Sequence, residues 1–141
     1  MRKLTIIYWS GTGNTEEMAK LLEKGAREIT EDVKLLNVSE ATIDDVKESE
    51  VIALGSPAMG AEVIEECEME PFVESIEGLV SGKILGLFGS YGWGSGEWME
   101  SWVERMEALG ANVLDNGCIV NEMPEGAEAD RCIEYGKKLV K

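Results

Sequence analysis

The sequence predicts a doubly wound α/β fold, in which a five-stranded parallel sheet is covered by helices on both faces. Short, continuously apolar runs alternate along the chain with segments whose apolar residues recur at helical spacing. Runs that are apolar at every position are typical of strands buried on both faces, as in a parallel sheet. The 141 residues suit a single domain, and no linker, repeat or low-complexity segment divides them.

Five segments have the composition of buried strands. They are Leu4–Trp9, Val33–Val38, Val51–Gly55, Lys83–Gly89 and Ala111–Val120. The fifth is expected to be interrupted by a bulge or kink, because the turn-forming residues Asp115, Asn116 and Gly117 lie inside it.

The segments between and after these strands have helical periodicity. Five helices are predicted, and their apolar residues recur at helical spacing over 18–29, 43–46, 72–80, 98–109 and 129–140. Pro71 falls in the first turn of the third helix, where proline is tolerated, and Gly110 marks the end of the fourth.

The first strand leads into a helix through the loop Ser10-Gly11-Thr12-Gly13-Asn14-Thr15. This arrangement favours anion binding, because backbone N–H groups converge there and the helix N-terminus carries a partial positive charge. The loop has no Lys or Arg, so a phosphate would be held by neutral donors alone. The alternative is an ordinary turn, with Asn14 as the helix N-cap and Glu17 completing a capping box, and both interpretations can hold together.

Three other phosphate-binding motifs do not match this loop. A Walker A loop needs Lys after its last glycine, but Asn14 follows Gly13. A dinucleotide fingerprint needs a third glycine where this chain has Glu16, whose charge would repel a pyrophosphate. A phosphatase loop needs a nucleophilic cysteine, and the first cysteine is Cys67.

Two further loops follow predicted strands and are expected at the same edge of the sheet, Ser56–Glu62 and Ser90–Trp98. Trp93 lies between glycines, so we expect it to stand out of its loop and offer a flat face to a ligand. Met59 could cover the other face of a ring, although core packing is the alternative for it. Trp9, Trp98 and Trp102 are predicted to be core residues. A phosphate cradle beside a flat-face binder suggests a mononucleotide or a flavin mononucleotide.

Composition narrows the range of functions. The net charge of −15 argues against nucleic acid and anionic membrane surfaces as partners, and favours proteins with basic docking surfaces.

The chain has no His, which removes the commonest general base and metal ligand, and no metal-binding spacing is visible. Three widely spaced cysteines fit reduced thiols in a cytoplasm. Met-Arg-Lys leads directly into the first strand pattern, so no signal peptide is expected, and no apolar run approaches the ~20 residues needed to span a bilayer. The charge argues for a monomer.

The motifs together carry a family resemblance. Tyr8-Trp9-Ser10-Gly11-Thr12-Gly13-Asn14-Thr15, Met59-Gly60 and Gly89-Ser90-Tyr91-Gly92-Trp93-Gly94 strongly resemble those of the flavodoxins, with matching spacing over the whole chain. The absence of a long insertion in the last strand resembles the short-chain group. The resemblance implies the strand order 2-1-3-4-5 and one noncovalent FMN. It also implies a low-potential electron carrier that passes between quinone, neutral semiquinone and anionic hydroquinone, and not an enzyme.

The same resemblance assigns roles to residues. Ser10, Thr12, Gly13, Asn14 and Thr15 would bind the FMN phosphate, Met59 and Trp93 would cover the two ring faces, and Glu62 would accept a hydrogen bond from the pyrimidine N–H. Ser90, Tyr91 and Gly92 would line the ring and ribityl side. The peptide between Gly60 and Ala61 would reorient on reduction, so that its carbonyl accepts the new N5 proton; many members have a polar residue where this chain has Ala61. The complete set expected around the cofactor is Ser10, Gly11, Thr12, Gly13, Asn14, Thr15, Ser56, Ala58, Met59, Gly60, Ala61, Glu62, Ser90, Tyr91, Gly92, Trp93 and Gly94.

Three other functions compete with this one. A nicotinamide-dependent FMN reductase would need room over the flavin face that Trp93 is expected to occupy, and no second nucleotide motif is present. A response-regulator receiver needs acidic residues where this chain has Trp9-Ser10 and Gly55-Ser56, which excludes it. A flavin-storage protein without redox partners stays open on sequence alone.

Overall fold

The computed structural model of the protein describes residues 3–60 and 62–141, and strands alternate with helices throughout them. The strands are β1 (Leu4–Tyr8), β2 (Val33–Asn37), β3 (Val51–Gly55), β4 (Ile84–Tyr91), β5 (Asn112–Val113) and β6 (Cys118–Asn121). The α-helices are α1 (Asn14–Arg27), α2 (Ile43–Lys47), α3 (Met69–Ser75), α4 (Glu97–Ala108) and α5 (Ala127–Val140). None of the helices in the described ranges combines the length and apolar character needed to cross a bilayer.

The strands form one parallel sheet in the order β2-β1-β3-β4-β5, which confirms the predicted topology. β5 pairs with Ile84 and Leu85 at the start of β4, and β6 pairs with Phe88–Tyr91 at its end. The two short strands therefore occupy one position in the sheet. The predicted interruption between them is a short 3₁₀ turn, Leu114–Asn116, in which Asp115 and Asn116 have positive φ.

Helices cover both faces of the sheet, as predicted. α1 and α5 pack on one face with Met18, Leu22 and Leu139 among the buried side chains, whereas α2, α3 and α4 contribute to the core on the other. α1 and α5 approach closely because glycines stand at their contact. A Cβ atom on Gly136 would lie 2.0 Å from the carbonyl oxygen of Leu22.

The third helix is shorter than the periodicity predicted. α3 ends at Ser75, whose hydroxyl donates to the Phe72 carbonyl at 2.6 Å, and the chain continues through turns. A serine hydroxyl that bonds to a nearby carbonyl competes with helical hydrogen bonding. Ile76 and Val80 are nevertheless fully buried, so the apolar pattern predicted burial correctly but not the conformation. Ile29 is exposed beyond the end of α1, so its assignment to the first helix stripe was wrong.

Candidate cofactor-binding site

A cleft of about 450 Å³ opens at the edge of the sheet where the strands end. Its volume is within the range of sites that hold small molecules and cofactors. All three loops singled out from the sequence contribute to it. The lining residues are Thr12, Asn14, Pro57, Ala58, Ser90, Tyr91, Gly92, Glu122 and Met123.

The first loop delivers an uncapped helix N-terminus to this edge. α1 begins at Asn14, the N-cap position is Gly13 with φ 99°, and no side chain of residues 3–60 or 62–141 caps the helix. The alternative with Asn14 as N-cap and Glu17 in a capping box is therefore wrong; glycine adopts the left-handed conformation that turns the chain into the helix. The Ser10 hydroxyl accepts a hydrogen bond from the Gly13 N–H at 3.1 Å and shapes the loop. The first-turn N–H groups remain available to an anion.

Thr15 supplies an independent sign of a missing ligand. Its side chain is only 1% exposed, and no atom among the described residues hydrogen-bonds to its Oγ1. A buried hydroxyl without a partner costs about 1–3 kcal/mol, so its presence needs a reason. Thr15 follows Asn14, a cleft residue, in the first turn of α1. A phosphate at the helix N-terminus would give this hydroxyl its partner, and the neutral donors of the loop fit such a group.

The second loop makes a tight turn, and its residues differ in how deeply they are buried. The Glu62 N–H donates to the Met59 carbonyl at 2.8 Å. Met59 is partly buried, while Gly60 is exposed with open space where a Cβ would lie. Ala61, which was expected to contribute to the cofactor site, lies outside the described residues. Ser56, which was predicted to bind the cofactor, is buried, and its hydroxyl accepts a hydrogen bond from the Glu65 N–H at 2.9 Å. Its hydroxyl therefore has a structural role beneath the loop.

Glu62 connects the second loop to the third. Its Oε2 accepts from the Trp98 N–H at 3.0 Å, near the start of α4, where a carboxylate is favoured by the helix dipole. Gly94 has φ 89°, which favours glycine, and a Cβ there would lie 1.9 Å from Glu62 Oε1, so a larger residue would also displace this carboxylate. Glu62 itself has φ 56°, a conformation uncommon for a residue with a side chain. The structure thus places Glu62 and Gly94 next to each other, and their contact with a cofactor stays a prediction.

The third loop exposes one aromatic residue and buries another. Trp93 is 66% exposed, whereas Trp98 and Trp102 are buried, which confirms that the last two belong to the core. The Tyr91 ring packs against Trp98 with centroids 5.7 Å apart. Trp9, expected in the core, is only partly buried, and its indole N–H donates to Glu68 Oε1 at 3.2 Å. Contact of Trp93 with a planar ligand stays a prediction.

A fourth loop, after β6, completes the cleft and was missed in the sequence. The Ser90 hydroxyl donates to the Glu122 carbonyl at 2.7 Å, and the Glu122 N–H donates to the Tyr91 carbonyl at 2.8 Å. Met123 follows as a cleft residue. The sequence did contain the information needed to predict this loop. The last predicted strand ends at the same edge of the sheet as the others, so the loop that follows it is also expected at the cleft.

Several carboxylates of the acidic run between residues 62 and 77 bind groups within the protein and are not simply solvated. Arg105 of α4 makes a bidentate ion pair with Glu70 at 2.7 and 2.8 Å and also reaches Glu77 at 3.2 Å. Glu65 is buried and accepts from the N–H groups of residues 67, 68 and 69. Burial raises the pKa of Glu65, but these backbone hydrogen bonds outweigh burial and hold the pKa below its usual value. Part of the acidic run therefore organises the fold.

Comparison with known proteins shows which family the chain resembles. A family model described as flavodoxin matches residues 6–136. A flavodoxin of Clostridium beijerinckii is 51% identical over 136 residues, which cover 96% of this chain and 98% of the relative. A flavodoxin of Megasphaera elsdenii is 47% identical over 136 residues, covering 96% and 97%. The solution structure of the two-electron reduced Megasphaera elsdenii flavodoxin superposes with a TM-score of 0.89 at 46% identity, covering 97% of this chain and 98% of that one.

Proposed function

Because the chain belongs to the flavodoxin family, we propose that it is a low-potential carrier that accepts and delivers single electrons on one noncovalently bound FMN. In this proposal the cofactor passes between quinone, neutral semiquinone and anionic hydroquinone, and redox partner proteins supply and remove the electrons. The observation that carries the proposal is the buried hydroxyl of Thr15, which has no hydrogen-bond partner among the described residues, at the start of α1 beside a cleft of about 450 Å³.

The phosphate end of the site is explained by residues of the first loop. We assign the phosphate to the N-terminus of α1 and the side chains of Ser10, Thr12, Asn14 and Thr15, with Gly11 and Gly13 allowing the backbone to approach. A dianionic group is stabilised there by backbone N–H groups and the helix dipole without a basic residue. Such a site selects FMN over riboflavin, because the phosphate supplies the partner that the loop lacks.

The ring end is assigned to the other loops. FMN supplies the redox chemistry, since its ring system takes up and releases electrons one at a time. Met59 would cover one ring face and Trp93 the other, and the large exposed surface of Trp93 fits this role. Glu62 would accept from the pyrimidine N–H with the oxygen that Trp98 does not use. Ser56 supports the second loop from below, while Ala58, Ser90, Tyr91 and Gly92 line the cleft.

The peptide after Gly60 is assigned the proton-dependent step. Its carbonyl oxygen would accept a hydrogen bond that the ring can donate only after it gains an electron and a proton. Apart from its chain neighbours, no described residue lies within 4 Å of the position that a Cβ on Gly60 would take, so this side of the peptide is uncrowded. A net hydrogen bond of about 1 kcal/mol corresponds to ~40 mV for one electron. The Ala61 side of this peptide contributes no polar side chain.

Burial should lower the second potential more than surface charge does. One carboxylate about 12 Å from the ring in a water-like medium opposes an added negative charge by about 0.35 kcal/mol, or ~15 mV. Several exposed carboxylates together therefore contribute tens of millivolts, reduced further by salt. Exclusion of water from the anionic ring by Trp93 and Met59 carries a larger penalty. We assign the exposed glutamates chiefly to docking of basic partner surfaces.

An anaerobic reductive titration of the FMN-loaded protein, followed by visible absorbance, tests this function. Two resolved one-electron steps with an accumulating neutral semiquinone are expected. A single two-electron step would contradict the carrier and favour hydride chemistry, and the protein would then be tested for turnover with a nicotinamide. Failure to retain FMN would contradict the cofactor assignment itself.

A further inference from the structure

Two cysteines form a buried pair away from the cofactor cleft. Cys118 begins β6, and Cys132 lies in α5, which packs against that end of the sheet. Their sulfur atoms are 4.0 Å apart, and both thiols are free. Cys118 retains 5% exposure, whereas Cys132 is fully buried. A disulfide bond is about 2 Å long, so the sulfur atoms need to approach by roughly 2 Å to form one.

The surroundings make the two thiols unequal. A second cleft, of about 320 Å³, is bordered by Cys118, Arg131, Asp115 and Lys138, and gives solvent a route to Cys118. The hydrogen bond from Cys132 and the positive charge of Arg131 hold the pKa of the Cys118 thiol below its usual value, against the opposing effects of burial and Asp115. The pKa of Cys132 is raised by the same hydrogen bond and by burial. Lys138 pairs with Asp115 at 3.0 Å and partly offsets its charge.

We propose that Cys118 and Cys132 form a redox-active dithiol, separate from the flavin, which a peroxide oxidises to an intramolecular disulfide. The geometry assigns the order of events. Cys118 is the accessible member and attacks first, and Cys132, held 4.0 Å away, resolves the product. The cleft admits the oxidant, and the burial of Cys132 keeps a second oxidant molecule from reaching it.

The chemistry balances as a two-electron oxidation. The Cys118 thiolate attacks one peroxide oxygen, the O–O bond breaks, and the other oxygen leaves as water or an alcohol after protonation. Cys118 is thereby oxidised to a sulfenic acid. The Cys132 sulfur then attacks Cys118 Sγ, the S–O bond breaks, and the hydroxyl leaves as water with the proton that Cys132 loses. The peroxide is reduced, and two thiols have become one disulfide.

The experiment uses FMN-loaded protein carrying Cys67→Ser, which removes the exposed third thiol without touching the pair. The protein is exposed to dilute hydrogen peroxide, unfolded, alkylated and digested. Cysteine peptides are scored separately, because methionines also take up oxygen. We expect a peptide pair linked through Cys118 and Cys132, with neither alkylated, and full alkylation after treatment with a thiol reductant. Two alkylated cysteines, oxygen on either sulfur without a link, or a link between molecules would each overturn the proposal.

A second variant tests which thiol attacks. In Cys67→Ser/Cys132→Ser protein, Cys118 has no resolving partner and is expected to accumulate sulfinic acid. In Cys67→Ser/Cys118→Ser protein, Cys132 is expected to remain reduced at the same peroxide dose. The reverse pattern would overturn the assigned order. If either double variant fails to fold, the linkage measured in Cys67→Ser protein still decides whether the pair reacts.

Discussion

Replacing Thr15 with valine separates the two energetic effects of its buried hydroxyl. Valine has nearly the same shape and keeps the β-branched side chain at this position of α1, so the packing around it is preserved. What changes is one polar atom that has no partner among the described residues. The substitution should therefore stabilise the protein without FMN and weaken FMN binding, two effects of opposite sign from one change.

Both magnitudes follow from hydrogen-bond energetics. Removing an unsatisfied buried hydroxyl should stabilise the apoprotein by about 1–3 kcal/mol. A hydrogen bond to a charged group is worth about 1.5–3 kcal/mol, so its loss should weaken FMN binding roughly 10- to 150-fold. Riboflavin lacks the phosphate, and its affinity should not change.

The assay has two parts and a matched control. Dissociation constants of FMN and riboflavin come from quenching of flavin fluorescence by apoprotein, and apoprotein stability comes from urea unfolding. The control is Thr5→Val, the same substitution at another buried site. The Thr5 hydroxyl lies 2.6 Å from that of Ser49, so this change should cost about 1 kcal/mol of stability and leave FMN affinity unaltered.

Three results would refute the reasoning. Unchanged FMN affinity in Thr15→Val protein would mean that Thr15 does not bind the phosphate. Equal weakening of FMN and riboflavin would mean that the substitution distorts the cleft. Destabilised apoprotein would mean that the hydroxyl has a partner in the folded chain, and the strongest argument for the cofactor would be lost.

Three further predictions test the fold and the charges. Gly136→Ala should cost roughly 1–3 kcal/mol in urea unfolding, because its Cβ would press on the Leu22 carbonyl, whereas Gly78→Ala, with open space around it, should stay within about 0.5 kcal/mol. Glu65→Gln should destabilise the protein at neutral pH and make its stability less dependent on pH in the acid range. The reason is that the lowered pKa of Glu65 contributes stability above its unfolded pKa of about 4.3, and this stability is lost as the pH falls through its folded pKa. An unchanged pH dependence of unfolding in acid would contradict this. A triple glutamine variant should shift the flavin potentials by less than about 50 mV, and a shift above ~100 mV would contradict the small share assigned to surface charge. Its sites are Glu66, Glu68 and Glu74.

Local patterns in the sequence were sufficient to predict a parallel sheet and three of the cleft's loops, whereas the strand order was predicted from the family resemblance. Continuously apolar strands predicted the parallel sheet, and the Gly- and hydroxyl-rich loop predicted that a helix follows β1, although α1 begins at Asn14 with Gly13 and not Asn14 as its N-cap. The end of α3 could not be predicted in the same way. Ile76 and Val80 keep helical spacing and are buried, yet a serine hydroxyl and turn hydrogen bonds replace the helix beneath them. Periodicity reports which side chains are buried and is less sensitive to the backbone that carries them.

The parts of the site that the sequence did not predict depend on contacts between residues far apart in the chain. Glu122 joins the cleft because Ser90, 32 residues earlier, donates to its carbonyl. Glu62 meets the N–H of Trp98 across 36 residues, which fixes two loops to one another. Such pairings depend on the register of neighbouring strands and the positions of helix ends. No periodic pattern within a single segment encodes them.

The acidic run illustrates why composition overstates the docking surface. In the sequence, the glutamates of this run have no basic residue among them. In the structure, Glu70 and Glu77 both pair with Arg105, which belongs to α4. Glu62 and Glu65 bind backbone N–H groups near the starts of α4 and α3. A carboxylate whose charge is offset by a guanidinium or a helix dipole attracts a distant basic partner less than a solvated one does. The salt dependence of partner association should therefore reflect fewer charges than the net value of −15 indicates, and the glutamates that retain their full effect are the exposed ones of this run.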